Sequence, residues 1–155
     1  MVSFKESLIS ENSVLLNQKA TTWEEAVRIA TKPLVESGAV EAGYTDAIIS
    51  STQHYGPYYL LMKGMAMPHA RPEDGVKRDA FSLVTFDQPI PFSDGKTAQA
   101  FVVLAATSSE IHTTLAIPQI VAVFEIENII QKLVAANTIE EVLAIIDQAD
   151  VTHYV

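Results

Sequence analysis

The sequence AFSLVTF occupies residues 80–86, and a second apolar run, AFVVLAA, occupies residues 100–106. Each run is short, carries no charge and contains Val and Phe, a composition that predicts a buried strand. The segment between them, residues 87–95, is rich in Pro, Asp and Gly and predicts a loop. We therefore expect two buried strands joined by this loop.

Two helices are predicted upstream of these strands. The sequence TWEE at residues 22–25 has the capping-box pattern, apolar residues follow at helical spacing, and Gly38 suits the end of the helix. Pro33 is expected to kink or shorten the last turn. A second helix is predicted for residues 41–53, ended by Gly56-Pro57.

Further strands and helices complete the predicted order. Short apolar runs predict strands at residues 58–62 and 65–67. Helical spacing returns from residue 109, continues at 126–134, and a second capping box, TIEE, begins at residue 138. This order predicts an α/β fold, a layered sandwich in which helices flank a mixed central β-sheet, built as one domain over residues 1–155.

Composition excludes several classes of function. The chain has 155 residues, is 48% apolar, and contains no cysteine, which rules out thiolate chemistry and disulfides. Its net charge of −9 and the lack of a basic cluster argue against nucleic acid as a partner and favour a protein with a basic face. No signal peptide or bilayer-spanning run is evident, so a cytoplasmic location is expected.

His69 is the strongest candidate for chemistry among the four histidines. It follows Met67-Pro68 at the end of a predicted strand, and Ala70 leaves room beside its ring. Strand ends in α/β sheets often carry ligand sites, and a neutral imidazole is a competent nucleophile near pH 7. By spacing alone, a loop histidine that caps a backbone group is an equally good interpretation.

The other histidines are weaker candidates. His112 would lie in the first turn of a helix near Thr113, where an anion is favoured, although an exposed residue without a ligand fits the spacing better. His54 would lie near a helix C-terminus, where a structural role is favoured. His153 lies near the C-terminus, where disorder is expected.

Rival chemistries lack their motifs. A zinc site would require an HxH, HExxH or i,i+4 histidine pair, and the sequence has none of these. It also lacks a GxSxG nucleophile elbow and a P-loop. Phosphate chemistry without a bound nucleotide is compatible with what remains, and no cofactor or metal is expected.

Residues 56–77, with the sequence GPYYLLMKGMAMPHARPEDGVK, resemble the active-site segment of the IIA proteins of the bacterial sugar phosphotransferase system (PTS). More narrowly, they resemble the mannitol/fructose-type superfamily and, within it, the ascorbate-specific IIA branch. The Met-Pro-His-Ala-Arg-Pro-Glu core is the specific part. The resemblance extends from the helix at residue 22 to the helix at residue 138 and implies the PTS IIA type-2 fold.

The resemblance also implies roles for individual residues. His69 falls on the phosphorylated histidine, and His112 on a second histidine that supports the phosphoryl group. Arg71, Thr113 and His54 are expected to lie around these two histidines and to support them. The activity implied is that of a phosphotransferase with a phosphohistidine intermediate, which accepts a phosphoryl group from HPr and passes it to a IIB component, serving a membrane IIC component indirectly.

The sequence departs from the family pattern near the end of the second helix. Mannitol-type relatives have an arginine there, whereas residues 50–54 read SSTQH. The ascorbate branch has a histidine before Gly-Pro, so we hypothesise that His54 lies near His69. Ala70 replaces the more usual glycine.

Two alternatives to a transport role stay open. One is a regulatory nitrogen-type IIA phosphoprotein that acts by partner binding. The other is a small metal-dependent hydrolase. The sequence leaves the oligomeric state open, and a homo-oligomer is compatible with it.

Overall fold

The computed structural model describes residues 3–149 of the chain. The strands are β1 (Val14–Gln18), β2 (Gly64–Ala66), β3 (Ala80–Pro91) and β4 (Thr97–Ala105). The α-helices are α1 (Phe4–Ser10), α2 (Trp23–Ser37), α3 (Ala42–Tyr55), α4 (Ser109–Ile111), α5 (Ile117–Phe124), α6 (Ile129–Ala135) and α7 (Ile139–Ile146). A 3₁₀ turn occupies Pro72–Asp74, and a π-helical turn, His112–Ala116, joins α4 to α5.

The four strands form one mixed sheet in the order β1-β3-β4-β2. The two central strands, β3 and β4, are antiparallel and pair Val84 with Phe101, as expected for the two apolar runs. The outer strands pair in parallel with their neighbours, β1 with β3 and β2 with β4. In the parallel pair β2 and β4, the carboxyl ends of the strands therefore lie at the same edge of the sheet.

Helices cover both faces of the sheet, because successive side chains of a strand point to opposite sides. Phe81 and Leu83 pack into a core with α1, α5, α6 and α7. Val84 and Phe86 pack into a second core with α2 and α3. The prediction of a layered α/β sandwich with a mixed sheet is confirmed.

Local signals account for the ends of α2. The Thr22 hydroxyl accepts a hydrogen bond from the Glu25 amide, while the Glu25 carboxylate accepts one from Thr21 N. Gly38 ends the helix with φ of 84°, a left-handed conformation that favours glycine. Of the two effects expected of Pro33, a kink or a shortened last turn, the shortening is wrong: the helix continues to Ser37 with Pro33 buried inside it.

Several predicted elements differ from the structure. Residues 58–62 do not form the predicted strand: Tyr58 and Tyr59 lie in a turn, and Met62 makes only an isolated bridge with Met65. The buried Tyr59 uses its carbonyl to accept from Met67 N instead of joining the sheet. β3 continues to Pro91, so the loop before β4 is shorter than residues 87–95. The helix predicted from residue 126 begins at Ile129, after Asn128 adopts a left-handed conformation.

The N-terminal elements α1 and β1 are additional to the predicted ones. α1 has seven residues and β1 has five, lengths at which hydrophobic periodicity carries little signal. Tertiary contacts hold them instead: the Phe4 ring packs edge-to-face against Phe81, with centroids 5.1 Å apart.

In residues 3–149, no single helix is long and apolar enough to cross a bilayer. The helical segments 109–124 and 129–135 together have the length and apolar composition of a membrane span, but they are bent by 83° relative to each other. Its apolar residues Ile120, Val123 and Leu133 are buried against the sheet.

Candidate active site

His69 lies just beyond the carboxyl end of β2, in a segment whose backbone is fixed on both sides. Met67 N donates to the Tyr59 carbonyl at 3.1 Å, and Leu104 N donates to the Pro68 carbonyl at 3.2 Å. Since Leu104 belongs to the central strand β4, the residue before His69 is tied directly to the sheet. His69 therefore starts from a rigid support.

Two tyrosines hold the backbone of His69 and of the residue after it. The buried Tyr44 hydroxyl accepts from Ala70 N at 3.0 Å and donates to the Leu104 carbonyl at 2.6 Å. The Tyr58 hydroxyl donates to the His69 carbonyl, and the Tyr58 ring stands edge-on to the imidazole with centroids 5.3 Å apart. Burial raises the pKa of both phenols, so both hydroxyls keep their protons at neutral pH.

The hydrogen bond of the His69 ring defines its tautomer. Nδ1 lies 2.8 Å from the Met67 carbonyl oxygen, which can only accept, so Nδ1 carries the proton. Nε2 then holds the free lone pair. Burial lowers the His69 pKa from its ordinary value of 6.5, because desolvation disfavours the charged ring. At pH 7 the ring is a neutral imidazole with Nε2 as its nucleophilic atom.

His112 reaches the same place from the neighbouring strand. It directly follows α4, the short helix after β4, whose N-cap residue is Ser108; the Ser108 hydroxyl accepts from Ile111 N. The rings of His112 and His69 are tilted by 52°, with centroids 4.6 Å apart. Burial, and then repulsion from the charged form of His69, lower the pKa of His112 to about 4. The site therefore contains two adjacent neutral imidazoles at pH 7.

A π-helical turn begins at His112. Ile117 N donates to the His112 carbonyl, an i,i+5 bond, and the Thr113 and Thr114 hydroxyls donate to backbone carbonyls one turn earlier. π-helical turns are rare in proteins, and those that occur are often found at functional sites. Sequence periodicity does not detect it, because it inserts one residue without changing the apolar pattern strongly.

The two histidines open onto a cleft of about 780 Å³. Its walls come from α3, the segment after β2 and the start of the helix after β4. The lining residues are Ala47, Ser50, Ser51, Tyr55, Tyr58, His69, Ala70, Arg71, Pro72, Asp74, Ala106, Ser109, His112 and Thr113. Four of the residues singled out from the sequence, His69, His112, Arg71 and Thr113, thus line one cleft.

His54 is not brought to this cleft. Four residues of α3 line the cleft, Ala47, Ser50, Ser51 and Tyr55, and His54 is not among them. The exposed His54 ring instead stands edge-on to the Tyr55 ring, with centroids 4.3 Å apart. The structure therefore does not support the hypothesis that His54 adjoins His69. His153 lies outside the described residues.

Sequence reasoning missed three residues that shape the site, Tyr44, Tyr58 and Asp74. A buried tyrosine normally needs a partner for its hydroxyl, which is the signal that Tyr44 offered. Asp74 accepts from the Arg71 backbone and guanidinium across the 3₁₀ turn, a pairing that an Arg-x-x-Asp spacing suggests.

The part of the chain that the structure describes has no cluster of side chains that could bind a metal ion. Across residues 3–149, no group of three or more His, Asp or Glu side chains converges in a way that could hold a metal ion. The donors that a metal-dependent hydrolase requires are not assembled there.

Comparison with known proteins assigns this chain to a family. The profile described as "Phosphoenolpyruvate-dependent sugar phosphotransferase system, EIIA 2" matches residues 7–149. The ascorbate-specific PTS system EIIA component of Salmonella typhimurium is 39% identical over 151 residues, which cover 96% of this chain and 98% of that protein.

Solved structures similar to this chain are also described as IIA proteins of the phosphotransferase system. A Streptococcus mutans chain described as a PTS IIA (PtxA) has a TM-score of 0.97 at 52% identity and covers 99% of this chain and 98% of its own. In the Escherichia coli complex of enzyme IIA mannitol with phosphorylated IIB mannitol, the matching chain has a TM-score of 0.75 at 26% identity, covering 89% of this chain and 95% of its own. With the profile match over nearly its whole length, this chain belongs to the EIIA 2 family of the phosphoenolpyruvate-dependent sugar phosphotransferase system.

Proposed function

We propose that this protein is a cytoplasmic phosphocarrier that accepts a phosphoryl group from phospho-HPr on Nε2 of His69 and passes it to a IIB component. The observation that carries the proposal is the His69 ring, whose Nδ1 donates to the Met67 carbonyl while Nε2 is left as the nucleophilic atom beside an open cleft. A neutral ring with one fixed nitrogen and one free nitrogen is the form that phosphoryl transfer requires.

The transfer step follows from this geometry. The Nε2 lone pair attacks phosphorus in line, a new N–P bond forms, and the N–P bond to the HPr imidazole breaks, with its electron pair returning to that ring. The phosphorylated His69 ring then carries substituents on both nitrogens and a formal positive charge. The Met67 carbonyl, 2.8 Å from Nδ1, stabilises that charge as it develops. Transfer to the IIB nucleophile is the same step in reverse.

Positioning supplies most of what such a step needs from the protein. Tyr44 and Tyr58 hold the backbone around His69, so the ring needs little reorganisation before attack. His112, with its ring centroid 4.6 Å away, can donate an N–H to a phosphoryl oxygen. Thr113 lines the same cleft.

The uptake system that we propose is of the ascorbate type, serving a membrane IIC component through IIB. Support comes from the curated relative named ascorbate-specific at 39% identity over nearly the full length. A IIB acceptor is supported by the mannitol IIA–IIB complex, whose IIA chain has this fold.

The test is a reconstituted phosphorylation assay. Purified protein, incubated with phosphoenolpyruvate, enzyme I and HPr, should gain one phosphoryl group and lose it to an ascorbate-type IIB protein. The His69→Ala variant should not be labelled, whereas the His54→Ala variant should be labelled like the wild type, because His54 lies outside the cleft. Label that persists in His69→Ala would move the site to another residue.

A further inference from the structure

Arg71 stands out in the cleft because of its charge. Among the cleft-lining residues, all of which lie in the described part of the chain, Arg71 is the one with a permanent positive charge. Both histidines are neutral at pH 7, because burial lowers the pKa of each. A phosphoryl group brings close to two negative charges, and a site made of neutral donors alone would hold it poorly.

The Arg71 side chain is held beside the cleft by weak interactions with two carboxylates. Its Nε and Nη2 atoms each lie 3.3 Å from an oxygen of Asp74, longer than the usual 2.7–2.9 Å of a charge-assisted bond. Nε is also 3.6 Å from the Glu73 carboxylate. The Arg71 side chain is 74% exposed, so solvent screens these pairs and the guanidinium is free to move.

Asp74 does not depend on the guanidinium for its own position. Its carboxylate accepts from Arg71 N at 3.0 Å, and its side chain is only 20% exposed. If the guanidinium leaves, this backbone bond still holds the carboxylate in the 3₁₀ turn. Release of the arginine therefore leaves no unpaired buried charge.

We propose that Arg71 clamps the phosphoryl group on His69, and that Asp74 holds the guanidinium beside the cleft until that group arrives. This inference rests on the function proposed above. Arg71 follows His69 by two residues and lines the same cleft, and a guanidinium can donate two parallel N–H bonds to phosphoryl oxygens. The phosphoryl dianion outcompetes the Asp74 carboxylate because it carries more charge.

Docking of a partner is the other way in which an exposed arginine could matter, so the test uses two donors. Rates of His69 phosphorylation are measured with phospho-HPr and with phosphoramidate, a small donor that has no docking surface. Arg71→Ala should slow transfer about 100-fold with either donor, as the loss of a charge-stabilising donor does in other enzymes. Arg71→Lys should restore part of the rate, because it keeps the charge but not the two parallel bonds.

Two further variants complete the experiment. Arg28→Ala is the matched control: Arg28 is also exposed and paired with a carboxylate, Asp46, at 3.6 Å, but lies outside the cleft, so its rate should equal that of the wild type. Asp74→Asn should transfer at least as fast as the wild type, because the restraint on Arg71 is weakened.

The outcomes separate the two proposals. A rate within twofold of the wild type for Arg71→Ala with phosphoramidate overturns the clamp, and so does a loss seen with phospho-HPr alone, which would assign Arg71 to docking. A loss in Asp74→Asn as large as that in Arg71→Ala overturns the restraint. Wild-type protein that phospho-HPr does not label at His69 refutes the proposed function itself.

Discussion

Phosphorylation of His69 should change the protonation state of His112, and the size of the change follows from the structure. In the unphosphorylated protein the His112 pKa is about 4, lowered by burial and then by repulsion from the charged form of His69. The two ring centroids are 4.6 Å apart. Phosphorylation gives the neutral site a negative charge, because a phosphoryl dianion on a positively charged ring has a net charge of about −1.

The expected shift can be worked from Coulomb's law. One unit charge at this separation, with an effective dielectric constant of about 20, contributes about 3.6 kcal/mol. Since 1.36 kcal/mol corresponds to a tenfold change in the protonation equilibrium, this attraction favours the charged form of His112 by about 400-fold. With a pKa of about 4 before phosphorylation, the ratio of charged to neutral His112 at pH 6 should rise from about 0.01 to about 4. His112 should then be neutral at pH 6 before phosphorylation and mostly charged at pH 6 after it.

Heteronuclear NMR of ¹⁵N-histidine-labelled protein provides the measurement. Spectra are recorded at pH 6 before and after phosphorylation by phosphoenolpyruvate, enzyme I and HPr, and the ring nitrogens of His112 should change from the neutral to the charged pattern. The exposed His54 ring, which lies outside the cleft, serves as an internal control and should not respond. A neutral pattern for His112 in phosphorylated protein at pH 6 would refute the electrostatic reasoning.

Three further predictions concern stability. Tyr44→Phe should lower the free energy of unfolding by about 2–4 kcal/mol, because it leaves Ala70 N and the Leu104 carbonyl without their partner. Urea denaturation measures this change, with the exposed Tyr55→Phe as the control, for which a change within about 0.5 kcal/mol is expected. A change in Tyr44→Phe as small as that of the control would contradict the prediction. Phe81→Ala should cost about 3–5 kcal/mol, because the ring is fully buried, and an unchanged urea midpoint would rule this out. Because the His112 pKa is lowered in the folded protein, the unfolded chain binds more protons between pH 6.5 and 4. The free energy of unfolding should therefore fall by about 2 kcal/mol, after allowance for solvent screening, as the pH falls through this window. In His112→Asn the dependence of the free energy of unfolding on pH should be weaker, and an identical dependence would exclude His112 as its source.

Local patterns in the sequence were sufficient for much of the fold. The apolar runs now seen in β3 and β4 form the centre of the sheet, since a continuous run of Val, Leu and Phe has few other stable places than between two layers of helices. The caps at Thr22 and Thr138 begin the helices predicted for them, because capping involves residues within four positions of each other. The same kind of local pattern made His69 a candidate site residue, since its strand, proline and small neighbour are contiguous, and the structure places it in the cleft.

The elements that escaped prediction depend on contacts far apart in the chain. α1 and β1 are too short for a periodic pattern and exist because the sheet and its helices pack against them. Residues 58–62 have strand-like composition, yet Tyr59 is buried at a turn that carries the loop into the site. Composition does not distinguish these outcomes, because both bury the same apolar atoms.

The sequence by itself determined the fold class and the family, and it made His69 the candidate nucleophile. Only the tertiary structure decided which side chains surround that nucleophile. His112 adjoins His69 because β2 and β4 are parallel neighbours and end at the same edge of the sheet. Tyr55 rather than His54 lines the cleft because of the rotation at which α3 packs beside it. Which side chains become neighbours depends on strand pairing and on the rotation of each helix. Both result from many weak interactions distributed over the whole chain, so no local stretch of sequence encodes them.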